Sequence, residues 1–335
     1  MKIVIGSFVT MCLLGVFSMF YEGDGNNQYE NYPERSVTTI VPSGTGGGID
    51  TSARVISSLL ADKENFPVSM LVENRPGGGQ AVGLSDFVTR YSNDDYRLFL
   101  PALPLIINNL KEDGNSPFGF RDLTPLAQIN SDFSVLAVHK DSEFDDLQDL
   151  LDVMHEDPSS VTFGGGSAPG SQDHLNIMLV MLEAGIDPEE VSYVSYDGGG
   201  EAVTSLLGQN IDVLSSHLSG ASEYYRSGDI KILGYSGKVP IEGEFSELVS
   251  YYDQGVDVEF NQWRGVFGPK DMDDELIEYW DNVFEDLILS EEWESQLDIN
   301  GWQPGYKNSE DFEFFLEEQE KEIYEVLKVL EMNAE

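Results

Sequence analysis

Three glycine clusters in this chain stand where a β-rich run gives way to a helix-patterned one. They are Pro42–Asp50 (PSGTGGGID), Gly164–His174 (GGGSAPGSQDH) and Tyr196–Glu201 (YDGGGE). Glycine lets the backbone approach a ligand and aim successive N–H groups at it, and the helix that follows adds its positive N-terminal end. Each loop is therefore a candidate cradle for an anionic oxygen. A single such loop also serves as an ordinary tight turn. Three at matching positions predict strand ends that face a common cleft.

The rest of the pattern agrees with that placement. Ser36–Val41 reads as a strand, and Ile49, Ala53, Ile56 and Leu60 then recur at helical spacing. The unit returns with a strand at Val68–Glu73, a turn at Asn74–Gly79 and a helix at Ala81–Val88. Further short strands are expected at Arg97–Leu100, Phe133–Val138, Val161–Phe163, Val191–Ser195, Ile211–Leu214 and Ile230–Leu233. Strand and helix in alternation predict an α/β fold of mainly parallel sheets with helices on both faces. The last third is more helical, with Glu275–Leu289 and an amphipathic helix over Asp311–Leu330. In that helix Phe312, Leu316, Ile323, Leu327 and Leu330 share a face, and Asn308 or Ser309 caps the start. The length of 335 residues suggests two domains, yet no Pro-rich linker separates them. Two lobes joined by strands that cross between them satisfy both facts.

Charge narrows the partners. The chain has 18 Lys plus Arg against 61 Asp plus Glu, a net of −43, so like charge would repel nucleic acid or an anionic membrane. A hydrophobic fraction of 41% separates it from acidic disordered chains. Such acidity fits work in concentrated salt or at high pH. It is uneven: residues 36–110 carry 7 acids and 5 bases, residues 271–335 carry 22 acids and 3 bases. At the N-terminus, Lys2 precedes an apolar run from Ile3 to Phe20, followed by a polar stretch. This is the form of a secretory signal, with a retained anchor as the alternative. The one cysteine, Cys12, lies in that run, so the remainder has no disulfide and no thiolate metal site.

Between Lys140 and Arg226 stand 85 residues without a Lys or Arg, and they include the second and third glycine loops. An anion held there must rely on backbone N–H groups, the hydroxyls of Ser167 and Ser171, and His174. The base best placed to supply a charge is Arg264, in Gln262–Gly268 (QWRGVFG), with Trp263 beside it as a possible wall; the alternative for Arg264 is pairing with a structural acid. Asp50 and Asp173 each follow a glycine loop at a helix start, where holding the loop and balancing the helix dipole is the first expectation and ligand contact the second. His139, His155 and His217 show no metal-ligand spacing, which argues against zinc, and no cofactor is implied.

At these residues the sequence resembles the extracytoplasmic solute receptors of tripartite tricarboxylate transporters, the TctC or Bug receptors. The resemblance runs from about Tyr32 to Leu330 and rests on Ile40–Asp50, Val72–Gly79, Phe163–Leu175, Gly198–Ala202, Trp263–Pro269 and Asn300–Trp302. The GGGS…DH and WRGVF forms look most like the tricarboxylate branch, implying a citrate-like di- or tricarboxylate. The resemblance also implies a two-lobed periplasmic-binding-protein fold that closes on its ligand. Its residues carry over as Gly47, Gly48 and Ile49 for one cradle, Ser167, Ala168, Gly170 and Ser171 for the other, and Gly198 and Gly199 for a third wall. Ile49 stands where the family often has Trp or Thr. On this basis residues 1–20 are a signal or anchor, 31–130 with 236–335 one lobe, and 131–235 the other. A monomer serving a permease of one large and one small membrane subunit is the implied setting.

The competing reading is a nucleotide-binding oxidoreductase, with Gly44–Gly48 after a strand and Glu73 ending the next as a ribose-binding acid. Ile49 then occupies the place of the third glycine, and an exported protein would not meet a nicotinamide cofactor.

Overall fold

The structure is a computed structural model that describes Tyr29 and residues 31–61, 63–112, 114 and 116–333. The apolar N-terminal run with Cys12 lies outside the described residues. Of the first compact unit, residues 1–32, the rings of Tyr29 and Tyr32 meet edge to face with centroids 6.3 Å apart. Residues 33–335 form the second unit, to which everything below refers.

In chain order it begins β1 (Val37–Val41), α1 (Gly48–Leu60), β2 (Met70–Asn74), α2 (Ala81–Arg90), β3 (Arg97–Phe99), α3 (Pro104–Leu110) and β4 (Leu123–Asp132). The chain then crosses to a second sheet and builds β5 (Ser134–His139), α4 (Leu147–Glu156), β6 (Thr162–Gly165), α5 (Gln172–Glu183), β7 (Ser192–Ser195), α6 (Gly199–Leu207), β8 (Val213–His217), α7 (Leu218–Arg226) and β9 (Ile230–Tyr235). It returns through β10 (Gln262–Pro269), α8 (Asp274–Ile288), α9 (Glu291–Asn300), β11 (Gln303–Lys307) and α10 (Ser309–Val329).

The strands sort into two sheets, β11-β4-β10-β3-β1-β2 and β7-β6-β8-β5-β9. The molecule is thus α/β and two-lobed, as expected, but the sheets are mixed rather than mainly parallel. Parallel pairing joins β1 to β2 and β3, and β6 to β7 and β8. The strands at the crossings pair antiparallel: β10 with β3 and β4, β11 with β4, and β5 with β8 and β9. The reason is connectivity. A strand that leaves one lobe and a strand that returns to it run in opposite directions.

Packing follows the periodicities. Strand β5 is buried on both faces: Leu136 and Val138 join a core with Leu150, Phe163 and Leu175, while Val135 and Ala137 join Leu214, Ala221 and Ile230 behind it. Helix α10 buries Phe312, Leu316, Ile323 and Leu327, and Asn308 caps it by accepting from the Asp311 N–H at 2.9 Å. Each buried side chain of that size contributes about 1.5–3 kcal/mol, so the apolar face holds this acidic helix in place. The crossings are stitched by hydroxyls. The Ser134 N–H donates to Ser236 Oγ at 3.0 Å, and the Ser134 and Ser236 hydroxyls donate to the Phe260 carbonyl at 2.8 and 3.0 Å.

Candidate functional site

Because α1, α5, α6 and α7 each follow directly on a strand end, their N-termini converge. The loops before them line one cavity of about 250 Å³. From the first lobe come Pro42, Ser43, Gly46–Ile49, Pro76–Gln80 and Pro104; from the second come Gly166–Ala168, Ser171–Asp173, Ser195–Gly200, Ser216, His217, Gly220 and Tyr224. The first N–H groups of a helix have no intrahelical acceptor, so four helix ends present donors and partial positive charge here. Among the described residues the lining contains no Lys or Arg, and its carboxylates are Asp173 and Asp197.

Close approach explains two of the glycines. A Cβ on Gly166 would collide with the backbone of Gly198 and Gly199, so the second loop can lie against the third only as glycine. A Cβ on Gly48 would meet His217 Cδ2 and Ser219 Oγ at 3.0 Å and Arg264 Nη2 at 3.2 Å. The first loop is thereby pressed onto α7 of the opposite lobe.

Of the residues singled out in the sequence, Gly47, Gly48, Ile49, Ser167, Ala168, Ser171, Gly198 and Gly199 are brought together around the cavity. Asp50, Gly170, His174, Trp263 and Arg264 lie outside its lining, each for a definite reason. Asp50 is buried and accepts from the Gly46 N–H, Arg54 Nε and Asn74 Nδ2, each at 2.9 Å. Burial pushes its pKa up, but those hydrogen bonds and the Arg54 charge outweigh burial and lower it. It holds the first loop in shape. His174 does the same for the second: its Nδ1 accepts the Gly170 N–H at 2.8 Å, which uses up that donor, and its ring packs on Tyr193 with centroids 4.6 Å apart. Burial, aided by the Lys111 charge, lowers its pKa to about 4, so the ring is a neutral acceptor. Lys111 reaches the same loop from the other lobe and donates to the Pro169 carbonyl at 2.8 Å, a cation that the 85-residue gap concealed.

Trp263 is buried against Phe267, Phe312 and Phe315, away from the cleft, and borders a rear groove of about 630 Å³. Arg264, fully buried in β10, has its Nη2 3.5 Å from the equally buried Asp132 Oδ2 and donates through Nη1 to the Trp263 carbonyl. Its pairing with a structural acid is therefore the arrangement found. Asp132 also accepts from the Ser219 N–H and hydroxyl. Burial raises its pKa to about 6 against the pull of Arg264 and Ser219. Asp173 binds the same region from the other side: its N–H donates to Ser167 Oγ at 3.0 Å, and burial raises its carboxyl to about 7 against Ser167, Gly166 and Arg264.

Sequence reading missed His217, Ser216, Gln80, Tyr196 and Tyr224, all of which line the cavity. Burial and the Arg264 charge lower His217 to about 3, so it stays neutral, and its Nδ1 has no hydrogen-bond partner among the described residues. A signal was present: Ser215–Gly220 (SSHLSG) is a further strand-to-helix junction, built with Ser where the three clusters and the Asn74–Gly79 turn use Gly. Glu73 is tied to Arg75 and Arg97, so it is not free to bind a ribose.

Residues 53–332 match the tripartite tricarboxylate transporter family receptor, TctC. The chain belongs to this family. The receptor is 30% identical over 256 residues to BugT of Bordetella pertussis, 74% of each chain, and 27% identical over 247 residues to a UPF0065 protein from the tcbD-tcbE intergenic region of Pseudomonas sp. strain P51. Among solved structures it resembles R. palustris Rpa4515 with adipate at a TM-score of 0.83 and 23% identity, over 91% of this chain and 100% of that one. It resembles the periplasmic binding protein BugD at 0.80 and 18%, with the same coverage. MatC from Rhodopseudomonas palustris with bound malate gives 0.77 and 17%, over 88% and 100%. The family is one of periplasmic solute-binding receptors, not enzymes, and the oxidoreductase reading falls with that. Among the described residues no helix of the receptor is long and apolar enough to cross a membrane.

Proposed function

We propose that this receptor captures a di- or tricarboxylate, citrate-like in charge and size, between its lobes outside the cytoplasm and delivers it to the large and small membrane subunits of a tripartite permease. One observation carries the reading: four helix N-termini and their glycine or serine loops converge on a single cavity whose lining, among the described residues, has no Lys or Arg. Such a site suits an anion held by neutral donors. Gly47, Gly48 and Ile49 act as one cradle, Ser167, Ala168 and Ser171 as the other, with Gly198, Gly199 and His217 closing the wall. Asp50, Gly170 and His174 shape the loops, and Arg264 supports them from below. Adipate and malate in the similar structures favour carboxylates as the ligand class. The division into one lobe of 31–130 with 236–335 and another of 131–235 rests on the sorting of strands between the sheets. The acidity suits a monomer working in concentrated salt.

A melting-temperature screen of citrate, malate, adipate and related acids tests this. An acid present at about 100 times its Kd is expected to add about 2.7 kcal/mol of stability. No shift with any di- or tricarboxylate would refute the reading.

A further inference from the structure

We propose that Asp173 takes up a proton as a carboxylate enters the cleft, so that the receptor captures its anion together with a proton. This rests on the carboxylate reading and adds to it a role for a buried acid that the cradle itself does not require. The geometry sets the problem. Asp173 lines the cavity at the first turn of α5, 5% exposed, beside the loop that presents donors to the ligand. The charged and titratable groups around it come from several elements. Arg264 of β10 is the cation, and it is shared with Asp132 of β4. Tyr193 of β7 sends its hydroxyl to the Ser167 carbonyl, and burial with the Asp173 charge keeps that phenol protonated. His174 on the same helix and His217 at the start of α7 are both held neutral.

One buried guanidinium thus faces two buried carboxyls, and the ligand brings further negative charge to a lining without Lys or Arg. Like charges crowded in a low-dielectric site cannot all remain ionised. The carboxyl with the weakest compensation yields. Both carboxyls have hydrogen-bond donors, Ser219 for Asp132 and Ser167 with Gly166 for Asp173, but Asp132 has Arg264 at 3.5 Å, whereas Asp173 has no cation within ion-pair distance among the described residues and lines the cavity that the anion enters. The sign follows: an anion nearby raises the Asp173 pKa further, so the bound state holds more protons than the free state. Affinity is then flat well below pH 7 and falls as pH rises above it.

The test is titration calorimetry of the full chain with malate or adipate, whose own carboxyls titrate below this range, in buffers of different ionisation enthalpy. Uptake of about half a proton per ligand is expected at pH 7, approaching one at pH 8, with Kd roughly eightfold weaker at pH 8 than at pH 6.5. Asp173→Asn should bind with a flat pH profile and no uptake. Binding by the wild type without proton uptake would overturn the proposal, and so would uptake that persists unchanged in D173N. Should D173N fail to fold, the wild-type buffer series and pH profile decide alone. Failure of every acid to bind at any pH would instead overturn the carboxylate reading, and this proposal with it.

Discussion

At the scale of single residues, the glycines were legible and their neighbours were not. A glycine run at a strand-to-helix junction announces close backbone approach, and Gly166 bears this out: any side chain there strikes Gly198 and Gly199. Gly166→Ala should therefore cost about 1–3 kcal/mol by overpacking and weaken carboxylate binding at least about tenfold by parting two loops of the cradle. Chemical denaturation and a titration check this, and a variant that melts and binds like the wild type would show that the loops are not so tightly apposed. Tyr224 carries no such local mark, because it reaches the cavity only when distant segments fold together. Arg264 was legible as a significant base, but its counter-ion Asp132 lies on another strand far away in sequence. Local spacing could not name it.

At the scale of elements, α1, α2, α8, α10 and the strands β1–β3 and β5–β9 could be read to within a few residues, and the crossing strands β4 and β10 could not. Strands β4 and β10 hold Gln128, Asn130, Asp132, Gln262 and Arg264 fully buried. Polar residues at core positions erase the apolar pattern by which a buried strand is recognised. The same positions hold the crossings together, so the signal is lost where the two lobes join. Ser236 makes this measurable. Ser236→Ala removes the acceptor of the buried Ser134 N–H and one donor to the Phe260 carbonyl, and should destabilise by about 1–3 kcal/mol in urea unfolding. A loss within error of zero would mean that these hydroxyls do not stitch the crossing.

At the scale of the whole molecule, a net charge of −43 surrounds a site suited to an anion. The two coexist because the excess is densest on the C-terminal helices, where residues 271–335 carry 22 acids and 3 bases, and because the cavity uses helix N-termini, whose effect acts within about the first turn. The overall field opposes the ligand at low ionic strength. Salt removes that field as the screening length falls from about 10 Å at 0.1 M to about 3 Å at 1 M, and leaves the enclosed N–H groups untouched. A cleft built on lysine and arginine would respond in the opposite way, since screening weakens its attraction. The direct measurement is the Kd of a bound dicarboxylate from about 0.1 M to about 2 M sodium chloride at constant pH. Recognition by neutral donors inside an acidic shell predicts an affinity that holds or tightens as salt rises. A steady loss of affinity with salt would contradict it.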